Sequence, residues 1–319
     1  MPSTAGWRRR VHFHAAWFRH HVLQAPYGNA QEPSTRRLGT MLTKESGEAG
    51  LNFASRVAWD AYREHRKQGW GVEPVRCTTN TISSQVLTFN LFGDLARDKA
   101  WCARVLTTLL GYPVLEVHEA FLEWHPSHPS QYLGDKTLID TLITYASPMG
   151  NEVLCVETKF TDPYVSRVLP IGQLQAHCDL VKRSTKWASV PQSRETNQLA
   201  RVHLLAERYA ERHGLSRSLV SPKLLLLHHE LDTRADAVLA EYSSFLHSSP
   251  HHSAASGLSL STVIRVLAET AMGVQQEAVA AALRQRYVDL HLSEKAWQEH
   301  EARSIGLRTG RSRARRSQE

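Results

Sequence analysis

Much of what would assign this chain to a common class is missing from it. No apolar run approaches the ~20 residues that a membrane span needs. The opening "MPSTAGWRRRVHFHAAWFRHHV" is basic, and His and Arg interrupt its apolar residues, so it has no secretory h-region. Only four cysteines occur (Cys77, Cys102, Cys155, Cys178), widely scattered and without a CxxC pair. That spacing argues against a disulfide framework or a zinc finger and suits a reducing cytoplasm. No GxSxG, P-loop or GxGxxG motif is present. There is no internal repeat and no long low-complexity block. Histidine is plentiful, at 18 residues, yet "HPSHPS" and "LHHE" lack a second ligand cluster at metal spacing.

What is present begins with an uneven charge distribution. The net charge is +7 over 319 residues. Residues 1–40 hold six Arg and one Glu, and residues 302–319 again hold six Arg and one Glu. Subtracting +5 at each end from +7 leaves −3 for residues 41–301. The basicity therefore belongs to the ends, where it can add non-specific attraction to phosphate or simply remain solvated. The expected organisation is a disordered basic extension over 1–50, one domain over 51–301, and a disordered Arg-rich tail over 302–319. Met41 opens a more ordinary stretch, so residues 1–40 are expected to be an extension from an upstream start codon.

Within the body, Leu51, Phe53, Val57, Trp59 and Tyr62 have helical spacing over 51–68. Ser83 or Ser84 is placed to cap a helix beginning near Gln85, with Gly93 as an interruption and a second helix ending at "GYP". "PVLEVHEAFLEWHP" reads as a strand. "LIDTLITYASPMGNEVLCVETKF", residues 138–160, reads as strand, turn and strand. A long connection with helical pieces follows. "NQLARVHLLAERYAERHG" is an amphipathic helix stopped by Gly214. "SPKLLLLHHE" is a short apolar strand of the kind buried in a sheet. Residues 232–300 read as mostly helical, split by "HSSPHHSAASG". The class is α/β, in the order helix, three strands, helix, strand.

The hairpin carries the chemistry. A turn centred on Pro148–Met149 opposes positions whose numbers sum to 297, which sets Asp140 against Glu157. Opposed Cβ atoms lie ~4.5–5.5 Å apart, and Lys159, two residues on, shares the face of Glu157. Two carboxylates this close repel unless a cation or proton intervenes. Hard oxygen donors suit Mg²⁺ or Mn²⁺, and magnesium takes one or two carboxylates plus waters and phosphate oxygens. The carbonyl of Thr158 can add a ligand, and the Lys159 ammonium can orient water or neutralise a phosphate. A cross-strand salt bridge near a sheet end would use the same three residues.

The stretch "ID…VETKF" resembles the PD-(D/E)XK nuclease superfamily, with its restriction-endonuclease-like fold. "SSQVLTFNLFGDL" (83–95), "LGDKTLID" (133–140), "VETKF" (156–160) and "NQLARVHLLA" (197–206) are similar to segments of a bacterial branch of nuclease-like proteins. The resemblance spans roughly 51–300, with Ile139 where the family name has proline and Ala200 where a bulky aromatic is expected. It implies an αβββαβ core with a mixed central sheet, flanking helices and further C-terminal helices. It also implies Mg²⁺- or Mn²⁺-dependent endonuclease activity leaving a 5′-phosphate and a 3′-hydroxyl. Asp140 and Glu157 would hold the metal, with Thr158 and Glu123 as further ligands. Lys159 would position water, and Gln198 and Arg201 would help hold the scissile phosphate. Glu119 is the rival to Glu123; His203, Asp135, Ser84 and Gln85 are secondary candidates. Nucleic acid is the expected partner, DNA ahead of RNA, and a homodimer is compatible with cutting both strands. A non-catalytic nucleic-acid-binding or assembly module, or a ribonuclease on the same core, would keep the same fold.

Overall fold

In a computed structural model, the described residues are 6–29, 37–69, 71–164, 170–191, 193–215, 221–247 and 254–303. In chain order the elements are α1 (Gly6–His21), β1 (Tyr27–Asn29), β2 (Arg37–Leu42), α2 (Lys44–Glu48), α3 (Arg56–Arg66), α4 (Pro74–Thr79), α5 (Ser84–Arg97) and α6 (Lys99–Leu110). They continue with β3 (Glu116–Trp124), β4 (Ile139–Ser147), β5 (Gly150–Thr158), α7 (Ile171–Arg183), α8 (Arg194–Arg212) and β6 (Lys223–His228). The last are α9 (Arg234–Ser244), β7 (Ala255–Ser259), α10 (Leu260–Glu269) and α11 (Val274–Tyr287). A five-stranded sheet has the order β3-β4-β5-β6-β7. β3, β4 and β5 are antiparallel neighbours, and β6 and β7 run parallel to β5. This is the αβββαβ order expected, with one further strand.

Alternation along the strands builds two apolar layers. Ile143, Leu154, Val156, Leu225 and Leu227 join a core with α3, α5, α6, α10 and α11. Leu142, Val153, Cys155, Leu224 and Leu226 join a second core with α8 and α9. The observed hairpin register pairs Ser147 with Gly150 and Thr141 with Val156, the register expected from the turn. Ser147 Oγ secures that turn by accepting from the Met149 amide at 3.0 Å, and Gly150 takes φ 113°, which a side chain would disfavour.

Ser83 is the cap of α5, accepting from the Gln85 amide at 3.2 Å, and Asp98 caps α6 through the Trp101 amide at 2.9 Å. The helix read over 51–68 begins only at Arg56, where Ser55 accepts from the Ala58 amide. Gly93 does not interrupt α5. It lets α3 approach, because a Cβ there would sit 2.8 Å from the Ala58 Cα. The segment expected to be helix and loop around "AASG" instead contributes β7, an edge strand held by parallel pairing to β6.

The largest departure concerns the amino-terminal residues. Residues 6–29 and 37–50 are folded onto the body rather than forming a disordered extension. Trp7, Val11 and Phe18 are buried on α1. The charge that suggested a solvated end is engaged: Arg10 donates to Ser293 Oγ at 2.9 Å, Arg8 to the Thr161 carbonyl at 3.1 Å, and Arg19 to the Gly39 carbonyl at 2.7 Å. The physical reason is that α1 buries Trp7, Val11, Ala15 and Phe18 on one face, and the His14 and Arg19 buried with them find hydrogen-bond partners there. Of the Arg-rich tail, residues beyond 303 lie outside the described residues.

Two measurements test this docking. Trp7→Ala should lower the unfolding free energy by about 3–5 kcal/mol in urea titrations; a detachable extension would leave it unchanged. His14 is buried between Ser293 Oγ (2.9 Å) and the Gln285 carbonyl (3.1 Å). Burial pulls its pKa down to about 4 from the usual 6.5. The folded protein then binds fewer protons than the unfolded one in that window, so stability falls as pH drops from 6.5 to 4. Relative to wild type, His14→Gln should flatten this loss by up to about 3 kcal/mol.

Candidate active site

The sheet register brings three carboxylates into one row. β3 and β4 pair Leu122 with Thr141 and Trp124 with Ile139, so Glu123 falls opposite Asp140. The β4–β5 register sets Asp140 opposite Glu157. The row lies where β5 and β6 end, the usual position for a ligand cleft in an α/β sheet. The Thr158 amide donates to Asp140 Oδ2 at 2.7 Å and ties the second strand to the third.

Around the row, polar side chains arrive from both layers. Lys159 Nζ lies 2.8 Å from Glu157 Oε1 and donates to Gln198 Oε1 at 3.1 Å. Gln198 Nε2 donates back to Glu157 Oε1 at 2.6 Å, closing a triangle. From α5, Gln85 Nε2 donates to Glu123 Oε2 at 3.1 Å, and its own Oε1 accepts from the Glu73 amide. Glu123 itself has φ 48°, a left-handed conformation uncommon for a side-chain-bearing residue, and is fully buried. Strain of this kind, in an over-determined setting, is found at functional sites. Glu123 Oε1 has no hydrogen-bond partner among the described residues.

The electrostatics follow from confinement. Burial first, then Glu157, holds the Asp140 carboxyl well above its ordinary range, against the Thr158 amide and Lys159. Burial and Asp140 do the same to Glu123. Burial would lower Lys159, but Glu157 and Asp140 outweigh it and raise its pKa, so it is an ammonium at neutral pH.

Arg201 lies one helical turn beyond Gln198 on α8. Its Nη1 donates to Thr137 Oγ1 at 3.1 Å and lies 3.7 Å from Asp135 Oδ2, while its Nε has no hydrogen-bond partner. Asp135 fixes its loop by accepting from the Thr137 amide at 2.8 Å and also sits 3.1 Å from His177 Nε2. A cavity of about 690 Å³ is lined by Asp135, Lys136, Asp140, Glu157, Gln198 and Arg201. A second, of about 350 Å³, shares Asp140, Glu157, Gln198 and Arg201 and adds Arg76, Ser84, Gln85, Glu123, Lys159 and Asp162.

The structure thus gathers Glu123, Asp140, Glu157, Thr158, Lys159, Gln198 and Arg201 at one cleft, with Ser84, Gln85 and Asp135 on its walls. It does not bring in two others. Glu119 is an exposed residue 3.6 Å from Lys99. His203 is wholly buried, bonded to Tyr242 Oη at 2.8 Å and the Pro222 carbonyl at 2.7 Å, and is a core histidine. Arg76, Asp162 and His177 were not singled out from sequence. Asp162 stood two residues past "VETKF"; Arg76 and His177 carry no local signal.

The centre is thus a mixed sheet whose strand ends present a row of carboxylates beside a lysine. A model of the PD-(D/E)XK nuclease superfamily matches residues 2–289, and the chain belongs to that superfamily, with its restriction-endonuclease-like fold. The match includes α1, so the family's domain begins before residue 51. No curated protein and no solved structure matches the chain.

Because Asp140 and Glu123 bind protons more tightly folded than unfolded, metal-free stability falls as pH rises above the ordinary carboxyl value of about 4. Asp140→Asn keeps an acceptor for the Thr158 amide and removes one charge. In EDTA at pH 8 it should be more stable than wild type, by on the order of 1 kcal/mol, with the difference shrinking toward pH 4.

Proposed function

We propose that the protein is a divalent-metal-dependent nuclease that hydrolyses phosphodiester bonds, with DNA favoured over RNA. The observation that carries this is the row Glu123, Asp140 and Glu157 on three adjacent strands, with Lys159 2.8 Å from Glu157. Membership of a superfamily made up mostly of nucleases, which generally use divalent metals, supports it.

The donor set fits Mg²⁺ or Mn²⁺. Asp140 and Glu157 would hold the ion, joined by Glu123, whose buried Oε1 lacks a partner, and by the Thr158 carbonyl. Among the described residues no group of three or more His, Cys, Asp or Glu is placed to hold a metal ion, so the three carboxylates of the row do not close on one ion as they stand. Magnesium needs fewer, since waters and phosphate oxygens complete its shell. When bound, such an ion polarises a phosphoryl oxygen and acidifies water.

The chain's own residues do the rest. Lys159 donates to the attacking water and offsets charge growing on the phosphate. Gln198 holds Lys159 and Glu157 in register by bonding both. Arg201, which lines both cavities, meets a phosphate oxygen with its guanidinium. Attack on phosphorus displaces the 3′ oxygen and leaves a 5′-phosphate. Four carboxylates face three cations in the smaller cavity, so a phosphate is repelled until a divalent ion reverses the balance. Among the described residues no helix is long and apolar enough to cross a membrane. The four free cysteines support a reducing, cytoplasmic setting.

Plasmid and single-stranded DNA and RNA should be offered to the full chain with Mg²⁺ or Mn²⁺. Cleavage should vanish in EDTA and fall about 10²–10³-fold in Lys159→Ala, while Glu119→Gln retains it. Equal activity in wild type and Lys159→Ala would mark a contaminant. Inactivity of both on every substrate would favour a binding module.

A further inference from the structure

The smaller cavity has a cation that the catalytic proposal leaves unused. Arg76, near the end of α4, points its Nη2 to Asp162 Oδ1 at 2.5 Å and lies 3.5 Å from Ser84 Oγ. Both members of the pair line the cavity that contains Glu123, Asp140, Glu157 and Lys159. The two cavities meet at Asp140, Glu157, Gln198 and Arg201, so Arg201 stands at their junction and Arg76 on the wall of the smaller one.

We propose that Arg76 is a second phosphate-binding residue, held by Asp162 as a latch across the empty cleft and released to a nucleic-acid strand that enters it. The latch presupposes the nuclease site described above and extends it to a strand that occupies both chambers. One phosphate would meet Arg201 at the junction, and another, beyond the scissile bond, would meet Arg76.

The two halves of the latch differ in mobility of attachment. Asp162 follows a segment anchored from behind by α1: Arg8 Nε donates to the Thr161 carbonyl at 3.1 Å, and His12 Nε2 lies 3.3 Å from Thr161 Oγ1. Asp162 is therefore the fixed half, and the long Arg76 side chain is the moving half. The pair is weak because solvent reaches it: the side chains are 43 % and 22 % exposed. An arginine–phosphate contact with paired donors is stronger than such a pair, so phosphate can displace the carboxylate. Asp162 opposes binding in two ways, by occupying Arg76 and by adding a fourth negative charge to the cavity.

Opposite signs distinguish a latch from a structural ion pair. The probe is a fluorescein-labelled 20-nucleotide single-stranded DNA, read by anisotropy with the full chain in Ca²⁺ at several salt concentrations. Arg76→Ala should weaken binding roughly tenfold, and the slope of log affinity against log salt should fall by about 0.7. Arg76→Lys should keep most of that slope. Asp162→Asn should tighten binding several-fold, and Arg97→Ala, a remote exposed control, should do neither. Melting temperatures check that each variant is folded. Affinity shifting in the same direction for Arg76→Ala and Asp162→Asn, or an unchanged salt slope in Arg76→Ala, overturns the latch. Plasmid cleavage measured in parallel separates the two proposals. If wild type cleaves and Arg76→Ala binds as wild type does, the latch alone is wrong. Opposite shifts without cleavage would keep the latch on a binding module and remove the nuclease function. If nothing is bound or cut, both are wrong.

Discussion

The confinement of like charge at the strand ends is the constraint around which this protein is arranged. Glu123, Asp140 and Glu157 occupy facing positions on β3, β4 and β5, with Glu123 and Glu157 buried and Asp140 half-buried at the cleft. Such a row is stable only if each member has compensation. The Thr158 amide serves Asp140, Lys159 and Gln198 serve Glu157, and Gln85 serves one oxygen of Glu123. The compensation is incomplete, because one oxygen of Glu123 has no hydrogen bond and Asp140 and Glu123 hold protons above their ordinary range. The site therefore keeps a residual demand for positive charge, at a cost in local stability.

The helices exist in the positions they do largely to furnish that compensation. α8 lays Leu199, Val202 and Ala206 against the sheet and thereby delivers Gln198 and Arg201 to the cleft. α5 is buried nearly all round, and its capped first turn delivers Ser84 and Gln85 from the other layer. α1 reaches the same place from behind, through Arg8, His12 and the stacking of Trp7 on His229. Its arginines are therefore structural cations. The high isoelectric point of the chain is a poor guide to how nucleic acid would be held, since the cleft itself carries more carboxylates than cations.

The two cavities give the cleft a direction. Arg201, tethered to Thr137 beside Asp135, lines both chambers at their junction, and Arg76, tethered to Asp162, lines the smaller. Each arginine is restrained by an acidic neighbour, so neither is a free positive patch that would attract any polyanion.

The sequence by itself determined the hairpin and what lies on it. A two-residue turn and period-two alternation leave one register, and that register puts Asp140 beside Glu157 with Lys159 on the same face. It also determined Ser83 as a cap and the pairing of Gln198 with Arg201 on one helix, because these depend on neighbours within a turn. Only the tertiary structure decided the rest. The choice of Glu123 over Glu119 required the position where β3 bends and α5 supplies Gln85. The docking of α1 depended on partners some 280 residues away, such as Ser293, and β7 on a parallel neighbour rather than on its own "ASGLS" composition. Arg76 and Asp162 are 86 residues apart and meet only once α4 and the end of β5 are both in place. Local periodicity is written into adjacent residues, whereas which distant charges will neutralise one another is set by how the layers pack.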